Sequence, residues 1–435
     1  MYERDYIYEK EAPQAYCESC GAALADRFVV GQCPDCGEQA RGDQCYACGI
    51  VLEPENLVGA QCAICGNTPV FRLTKHLFLA MSKMGNILES YIDAHARWRK
   101  NAVAFSRRYI DEGLRDRAVT RSLDWGIDVP KAGYEDKKIY IWAENVLGYL
   151  SMSEVVAKQR SENYTDLWGP DSRHYYVHGK DNIPFHTLIL PSLMLANGGE
   201  WKFPDDIISS EYLTLEGRKI STSRNWAIWV KDIADRYNPD SIRYYLIASG
   251  PEKRDSDFTW DAFLNSHNGE LLGAYGNLVN RVLVFICKYF DGVTPDGCPR
   301  TDIMSKITAL YQHTGASIEN GNLRDAIDSI FEFVRYGNKF FDAEQPWITR
   351  NSDIEQCSGT LYNCVQIVAN LAVLLEPFLP FSSAKIRAWL AIDNSWSLKI
   401  VAAGLRIPEP EILFERLDKK TAGEELERLR QQTRE

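Results

Sequence analysis

Eight of the twelve cysteines fall within the first 65 residues, as four Cys-x-x-Cys pairs. They are CESC (Cys17, Cys20), CPDC (Cys33, Cys36), CYAC (Cys45, Cys48) and CAIC (Cys62, Cys65). Residues 1 to about 70 are rich in Gly, Pro and Cys and carry few long apolar runs. Such a segment cannot bury enough apolar surface to hold itself together and needs cross-links. Disulfides are one means, but the first ten residues, MYERDYIYEK, are polar and lack the apolar core of an export signal. A redox Cys-x-x-Cys would normally occur once, on a strand-to-helix turn. Four matched pairs predict two tetrahedral thiolate cages for structural zinc. An all-cysteine site leaves no open coordination position, so these sites hold a fold and do not catalyse. Eight residues separate Cys36 from Cys45, which suits one knuckle and leaves Cys17/Cys20 to pair with Cys62/Cys65. The sequential pairing, first with second and third with fourth, is the alternative.

The other four cysteines (Cys287, Cys298, Cys357 and Cys364) are scattered singly and read as packing residues. A chain of 435 residues has room for two to four domains. It contains no run of 18 apolar residues, so no membrane span and a cytoplasmic location are expected. The net charge of −11 argues against indiscriminate coating of nucleic acid, but leaves room for a local basic face. RWRK (Arg97–Lys100) and SRR (Ser106–Arg108) are such local concentrations; each alone reads as a solvated helix face. From about residue 76 to 120 the apolar spacing predicts helix. YIWAENVLGYL and YYVHG begin like buried strands, and FHTLILPSLMLANG like a helix ended by Gly198. SEYLTLEGRKIST predicts a short hairpin with Gly217 in its turn. Beyond residue 266 three long amphipathic stretches predict a helix bundle, and the charged end, DKKTAGEELERLRQQTRE, is expected to fray.

Several long motifs occur in one order: the cysteine-rich stretch, LRDRAVTRSLDWGIDVP, IYIWAENVLGYLS, YYVHGKDNIPFHTLILPSLMLA, LEGRKISTSRNWAIWVKDI, GNLVNR and DAEQPW. Together they resemble methionyl-tRNA synthetases, from about residue 5 to about residue 415. The resemblance implies an α/β fold: part of a class I Rossmann-type catalytic domain carrying a zinc-knuckle insertion, then an all-α anticodon-binding bundle. The implied division is a knuckle at 1–75, the second half of the catalytic domain at 76–205, a stem-contact region at 206–265 and the anticodon-binding domain at 266–435. The implied reaction is ATP-dependent, with Mg²⁺: methionine becomes methionyl-adenylate and is then passed to tRNA(Met).

RKISTS resembles the KMSKS loop, with Lys219, Ser221 and Ser223 matching as catalytic residues. Cations and hydroxyls there meet charge developing on pyrophosphate. Thr222 stands where the family has a second lysine; Lys219, Thr222 and Asp181 are the implied ATP contacts. Trp142, Tyr149, His186 and Arg121 are the implied amino-acid contacts, an aromatic pocket suiting a thioether. Asn145 and Val146 replace the family's usual Ala-Pro. Without the resemblance, Trp142 and Tyr149 would read as core packing and His186 as a satisfied buried histidine. Asn277 and Arg281, one helical turn apart, and Trp347 as a stacking surface are the implied anticodon readers.

The family's phosphate-gripping His-x-Gly-His is not formed by any of the seven histidines (His76, His95, His174, His178, His186, His267, His313). The expectation is that the first half of the nucleotide-binding fold is absent and that activity needs a separate N-terminal half as partner. The alternative is a catalytically inactive relative that binds tRNA or a protein. A third reading, a zinc-knuckle nucleic-acid-binding module unrelated to aminoacylation, leaves the long helical half unexplained.

Overall fold

The computed structural model describes residues 1–45 and 47–433, with the side chains of Trp142 and Ser223 outside the described set. The chain divides into two compact units, Met1–Ser210 and Glu211–Glu435.

The first unit is organised by a long antiparallel ribbon. Strand Ile7–Cys17 pairs with Val70–Leu79 from Ile7↔Leu79 to Tyr16↔Val70. The ribbon brings the two ends of the cysteine-rich segment together, so the knuckles sit as an insertion at its tip. Between them a small antiparallel sheet joins Val29–Gln32 to Gln39–Arg41 and Val58–Cys62. Below the ribbon, helices Gly85–Ala94 and Lys100–Asp111 pack Leu88, Ile92 and Ala102 against Ile183, Leu188, Leu190 and Ile207. The last strands, Tyr175–Gly179 and Asp206–Ser210, form a two-stranded parallel pair. The crossover between them is a π-turn, Phe185–Ile189, running into helix Leu190–Asn197. It ends at Gly198, whose φ of 76° lies where only glycine is at ease.

Three expectations change here. Residues 76–79 are strand, because ten-residue pairing with Ile7–Cys17 outweighs a helical apolar spacing. YIWAENVLGYL is helical: the strand pairing, of Lys138–Ile139 with Thr120–Arg121, ends before it, and Ile141–Glu144 then coils into helix, followed by Gly148–Arg160. YYVHG is a strand, but a half-covered one, with Tyr176 buried and Val177 72% exposed.

In the second unit a three-stranded sheet places Leu213–Leu215 between Arg218–Lys219 and Ser256–Phe258. The first pair is the expected hairpin, with Gly217 at φ 72° in its turn. Asp257 fixes that turn by accepting from the Gly217 N–H and the Thr214 hydroxyl. Its core joins Trp226, Tyr245, Phe258, Trp260 and Phe263. Helices follow: Trp260–Ser266, a π-segment His267–Gly276, Asn277–Tyr289, Thr301–Glu319, Leu323–Glu344, Pro346–Ser352, Ile354–Leu374 and Pro380–Trp389. Ile354–Leu374 is long and apolar enough to cross a membrane, but 89% of its apolar window is buried as the bundle's central helix. The charged end, expected to fray, is helical over most of its length, and its last two residues, 434 and 435, lie outside the described residues. Residues Lys420–Gln432 form a helix whose Ala422 and Leu429 join the Trp260 core. The buried carboxylate of Glu425 takes a two-pronged bond from Arg236 and a third from Tyr237.

Candidate functional site

Four groups of residues carry chemistry. The cysteines gather in the nested pairing: Cys17, Cys20, Cys62 and Cys65 in one cluster, Cys33, Cys36, Cys45 and Cys48 in the other. Within each cluster every Sγ lies within 4.8 Å of the others, with closest approaches of 3.4 and 3.6 Å. Tetrahedral zinc with Zn–S near 2.3 Å needs sulfurs about 3.8 Å apart, so both clusters fit the ion. The sequence carried a further signal for this geometry. Each pair is followed by a glycine (Gly21, Gly37, Gly49, Gly66) at φ between 66° and 78°. Three of them donate back to the first cysteine's carbonyl, as Gly37 does to Cys33 at 3.0 Å. That turn aims both thiols at one point.

The second group is aromatic. Tyr149, on helix Gly148–Arg160, donates its hydroxyl to Nε2 of buried His186 at 2.9 Å. Nδ1 of His186 donates to the Asn182 carbonyl at 2.9 Å, which fixes the neutral tautomer. Burial, helped by nearby His178, pulls the His186 pKa down to about 4. The ring of His178 stacks on His186 at 4.4 Å, and Tyr176 packs against Tyr149 edge-on at 5.4 Å. Tyr176 and His178 were not singled out from sequence, because strand alternation alone does not say which face meets the helix. Tyr149 stays 45% exposed, so one wall of this cluster faces open space. The side chain of Trp142 lies outside the described residues. Asp181 stands near the end of the strand carrying His178, where its carboxylate would crowd any Cβ placed on Gly179.

Arg121 is placed elsewhere. Its guanidinium is buried, grips Asp26 through two bonds of 2.9 and 2.6 Å, donates to the Thr120 carbonyl and stacks over Tyr140. It is a bolt between the cysteine-rich insertion and the segment after the ribbon, and the structure does not bring it to Tyr149 and His186.

In the second unit, RKISTS runs off the hairpin into a closed turn. Ser221 and Trp226 exchange both backbone hydrogen bonds at 2.9 Å, with Thr222–Arg224 and left-handed Asn225 between them. Arg218 covers the Trp226 ring at 4.0 Å. Lys219 and Thr222 lie exposed on this protrusion; the side chain of Ser223 is outside the described residues.

Asn277 and Arg281 project from one face of helix Asn277–Tyr289. Asn277 bonds Asn338 at 3.3 Å and Arg281 bonds Asp342 at 2.5 Å. The Arg281 guanidinium lies 4.4 Å from the Phe341 centroid and 5.9 Å from that of Trp347, which is 40% exposed.

A parallel strand pair with a helical crossover, a cysteine-knuckle insertion, a Lys-x-Ser-x-Ser hairpin and a trailing helix bundle define a class I aminoacyl-tRNA synthetase architecture. The family model described as tRNA synthetases class I (M) matches residues 1–283, and that for the anticodon binding domain of methionyl tRNA ligase matches residues 295–433. The chain is 51% identical over 432 residues to methionine–tRNA ligase 1 of Alkaliphilus oremlandii, covering 99% of this chain and 80% of that one. It is 47% identical over 433 residues to the methionine–tRNA ligase of Bacillus cereus strain G9842, of which it covers 79%. The fold matches the Mycobacterium tuberculosis methionyl-tRNA synthetase bound by methionyl-adenylate with a TM-score of 0.76, at 20% identity, over 95% of this chain and 78% of that one. The chain belongs to the methionyl-tRNA synthetase family.

Proposed function

We propose that this polypeptide supplies the methionine cavity, the adenylation loop and the tRNA-reading arm of a cytoplasmic methionine–tRNA ligase. The observation that carries the reading is the aromatic cluster around His186. A neutral imidazole, held by Tyr149 and Asn182, offers a polarizable, uncharged wall to a thioether side chain. Trp142 is the proposed second wall. Lys219, Ser221 and Ser223 are proposed to meet charge developing on the departing pyrophosphate, with Thr222 contributing a hydroxyl where a cation would act more strongly. Asp181 is proposed to orient the adenylate ribose side. Arg121 is proposed to position, not to bind, since Asp26 occupies its fork. Asn277, Arg281 and Trp347 are proposed to read anticodon bases by edge bonding and stacking. The two cysteine clusters are proposed to hold one structural zinc each. The segments 1–75, 76–205, 206–265 and 266–435 are proposed as the working divisions of the chain.

We further propose that the ATP triphosphate is gripped by a segment carrying His-x-Gly-His, a motif these 435 residues do not contain. Parallel strands are normally covered on both faces, yet Val177 and Tyr175 of the two-stranded pair are 72% and 41% exposed. The test of the cavity is calorimetric titration of the chain with methionine and with leucine. Methionine is expected to bind and leucine to fail; equal affinities would overturn the assignment of the His186 cluster.

A further inference from the structure

The helix that carries Asn277 and Arg281 continues the same stripe for two more positions. Residues four apart lie on one face, so Asn277, Arg281, Phe285 and Tyr289 form a single row along helix Asn277–Tyr289. The row spans about 18 Å at a rise of about 1.5 Å per residue. Its rings connect to the stacking surface already described. Phe285 packs on Tyr289 at 4.6 Å and on Phe341 at 6.3 Å, and Phe341 packs on Trp347 at 6.0 Å.

At the far end of the row the Tyr289 ring is 40% exposed and carries two cations. The Arg350 guanidinium lies 4.0 Å from the ring centroid, and the Lys288 ammonium 5.1 Å. Arg350 sits three residues beyond Trp347 on helix Pro346–Ser352, so both reach the row from one side. Among the described residues neither Arg350 nor Lys288 has a carboxylate within 4.0 Å, whereas Arg281 and Arg300 both do. Arg350 Nε is buried without a hydrogen-bond partner. Two unneutralised cations converging on an exposed ring stand out in a chain of net charge −11. The pull of Lys288 and Arg350 also lowers the Tyr289 phenol pKa below its ordinary value.

A flat ring backed by a guanidinium plane is a stacking platform for a nucleobase, and free cations beside it suit a phosphate. We infer that Tyr289, Arg350 and Lys288 form an additional nucleotide subsite that takes one splayed base and its phosphate from the anticodon loop, beyond the positions read by Arg281 and Trp347. The inference rests on the anticodon-reading assignment of that helix. The occupant is single-stranded RNA, because paired A-form bases cannot present a free face.

The test measures dissociation constants of the full chain for a tRNA(Met) transcript across a salt series. Variants are Tyr289→Leu, Tyr289→Phe, Arg350→Gln, Lys288→Gln and, as a reference, Trp347→Ala. Tyr289→Leu keeps apolar packing on Phe285 but removes the plane; it is expected to weaken binding roughly tenfold or more at every salt concentration, with Tyr289→Phe near the parent. Arg350→Gln and Lys288→Gln are each expected to flatten the salt dependence by about 0.7 in slope. A transcript made abasic at each loop position in turn is expected to include one position at which Tyr289→Leu costs nothing further. If Trp347→Ala weakens binding while Tyr289→Leu does not, the subsite is overturned and the anticodon assignment stands. If neither variant changes binding, both fall. A Tyr289→Leu loss that persists at every abasic position also overturns the subsite.

Discussion

The hydroxyl of Tyr149 donates to Nε2 of His186 at 2.9 Å, and that one bond sets the protonation of the cluster assigned to methionine. It requires Nε2 to be an acceptor, which places the ring proton on Nδ1 against the Asn182 carbonyl. Replacing Tyr149 with Phe keeps the ring and frees Nε2. A neutral hydrogen bond of this kind is worth about 1 kcal/mol. Tyr149→Phe is therefore expected to weaken methionine binding by about fivefold in calorimetric titration, and His186→Phe by more. No change for either would remove the pair from the site.

Three imidazoles, His76, His178 and His186, give the first unit a pH dependence, since burial lowers the pKa of each. Burial is the main cause that holds His76 and His186 at about 4, below the ordinary 6.5. The folded chain then binds fewer protons than the unfolded chain throughout that interval. Their stabilising contribution is complete above about pH 6.5 and is lost as pH falls toward 4, by about 1.4 kcal/mol per unit for each histidine. Urea midpoints at pH 7 and pH 5 measure this. His76→Gln, which can still bond Thr74 and Thr120, is expected to reduce the difference between them and to leave the part that His178 and His186 supply. An unaltered difference would contradict the account.

Asp26 and Arg121 form a closed, buried pair, so removing one charge strands the other. Asp26→Leu or Arg121→Met is expected to destabilise the first unit by about 3–5 kcal/mol, whereas the double replacement Asp26→Leu with Arg121→Met recovers much of that. Chemical denaturation of the four proteins forms a double-mutant cycle. Additive losses would show that the pair is not coupled.

Metal analysis of the purified protein is expected to find about two zinc ions per chain, one for each cysteine cluster. Chelation, or Cys33→Ser with Cys45→Ser, is expected to expose residues 17–65 to proteases while the helical bundle stays resistant. Zinc-free protein with equal resistance would count against the structural role.

The sequence revealed the fold unevenly, for physical reasons. The cysteine pairs were legible because ligand spacing is a local property, and the helices beyond residue 266 because a helix hydrogen-bonds within itself. The long ribbon was not: Val70–Leu79 is a strand only because Ile7–Cys17, more than fifty residues earlier, lies beside it. The terminal helix was missed for a similar reason. Its charges read as solvent-facing until Glu425 is seen bonded to Arg236 and Tyr237. In the site, Tyr149 and His186 were found through resemblance, but their partners Tyr176 and His178 needed the strand's facing. Arg121 shows the converse, since a motif position alone did not reveal that Asp26 occupies it.

The most direct measurement is methionine-dependent exchange of labelled pyrophosphate into ATP, run on this chain alone and with a separately made segment carrying His-x-Gly-His. The account predicts no exchange by the chain alone and exchange on addition of that segment, abolished by Lys219→Ala. Exchange by the 435 residues unaided, at a rate the added segment does not raise, would contradict it.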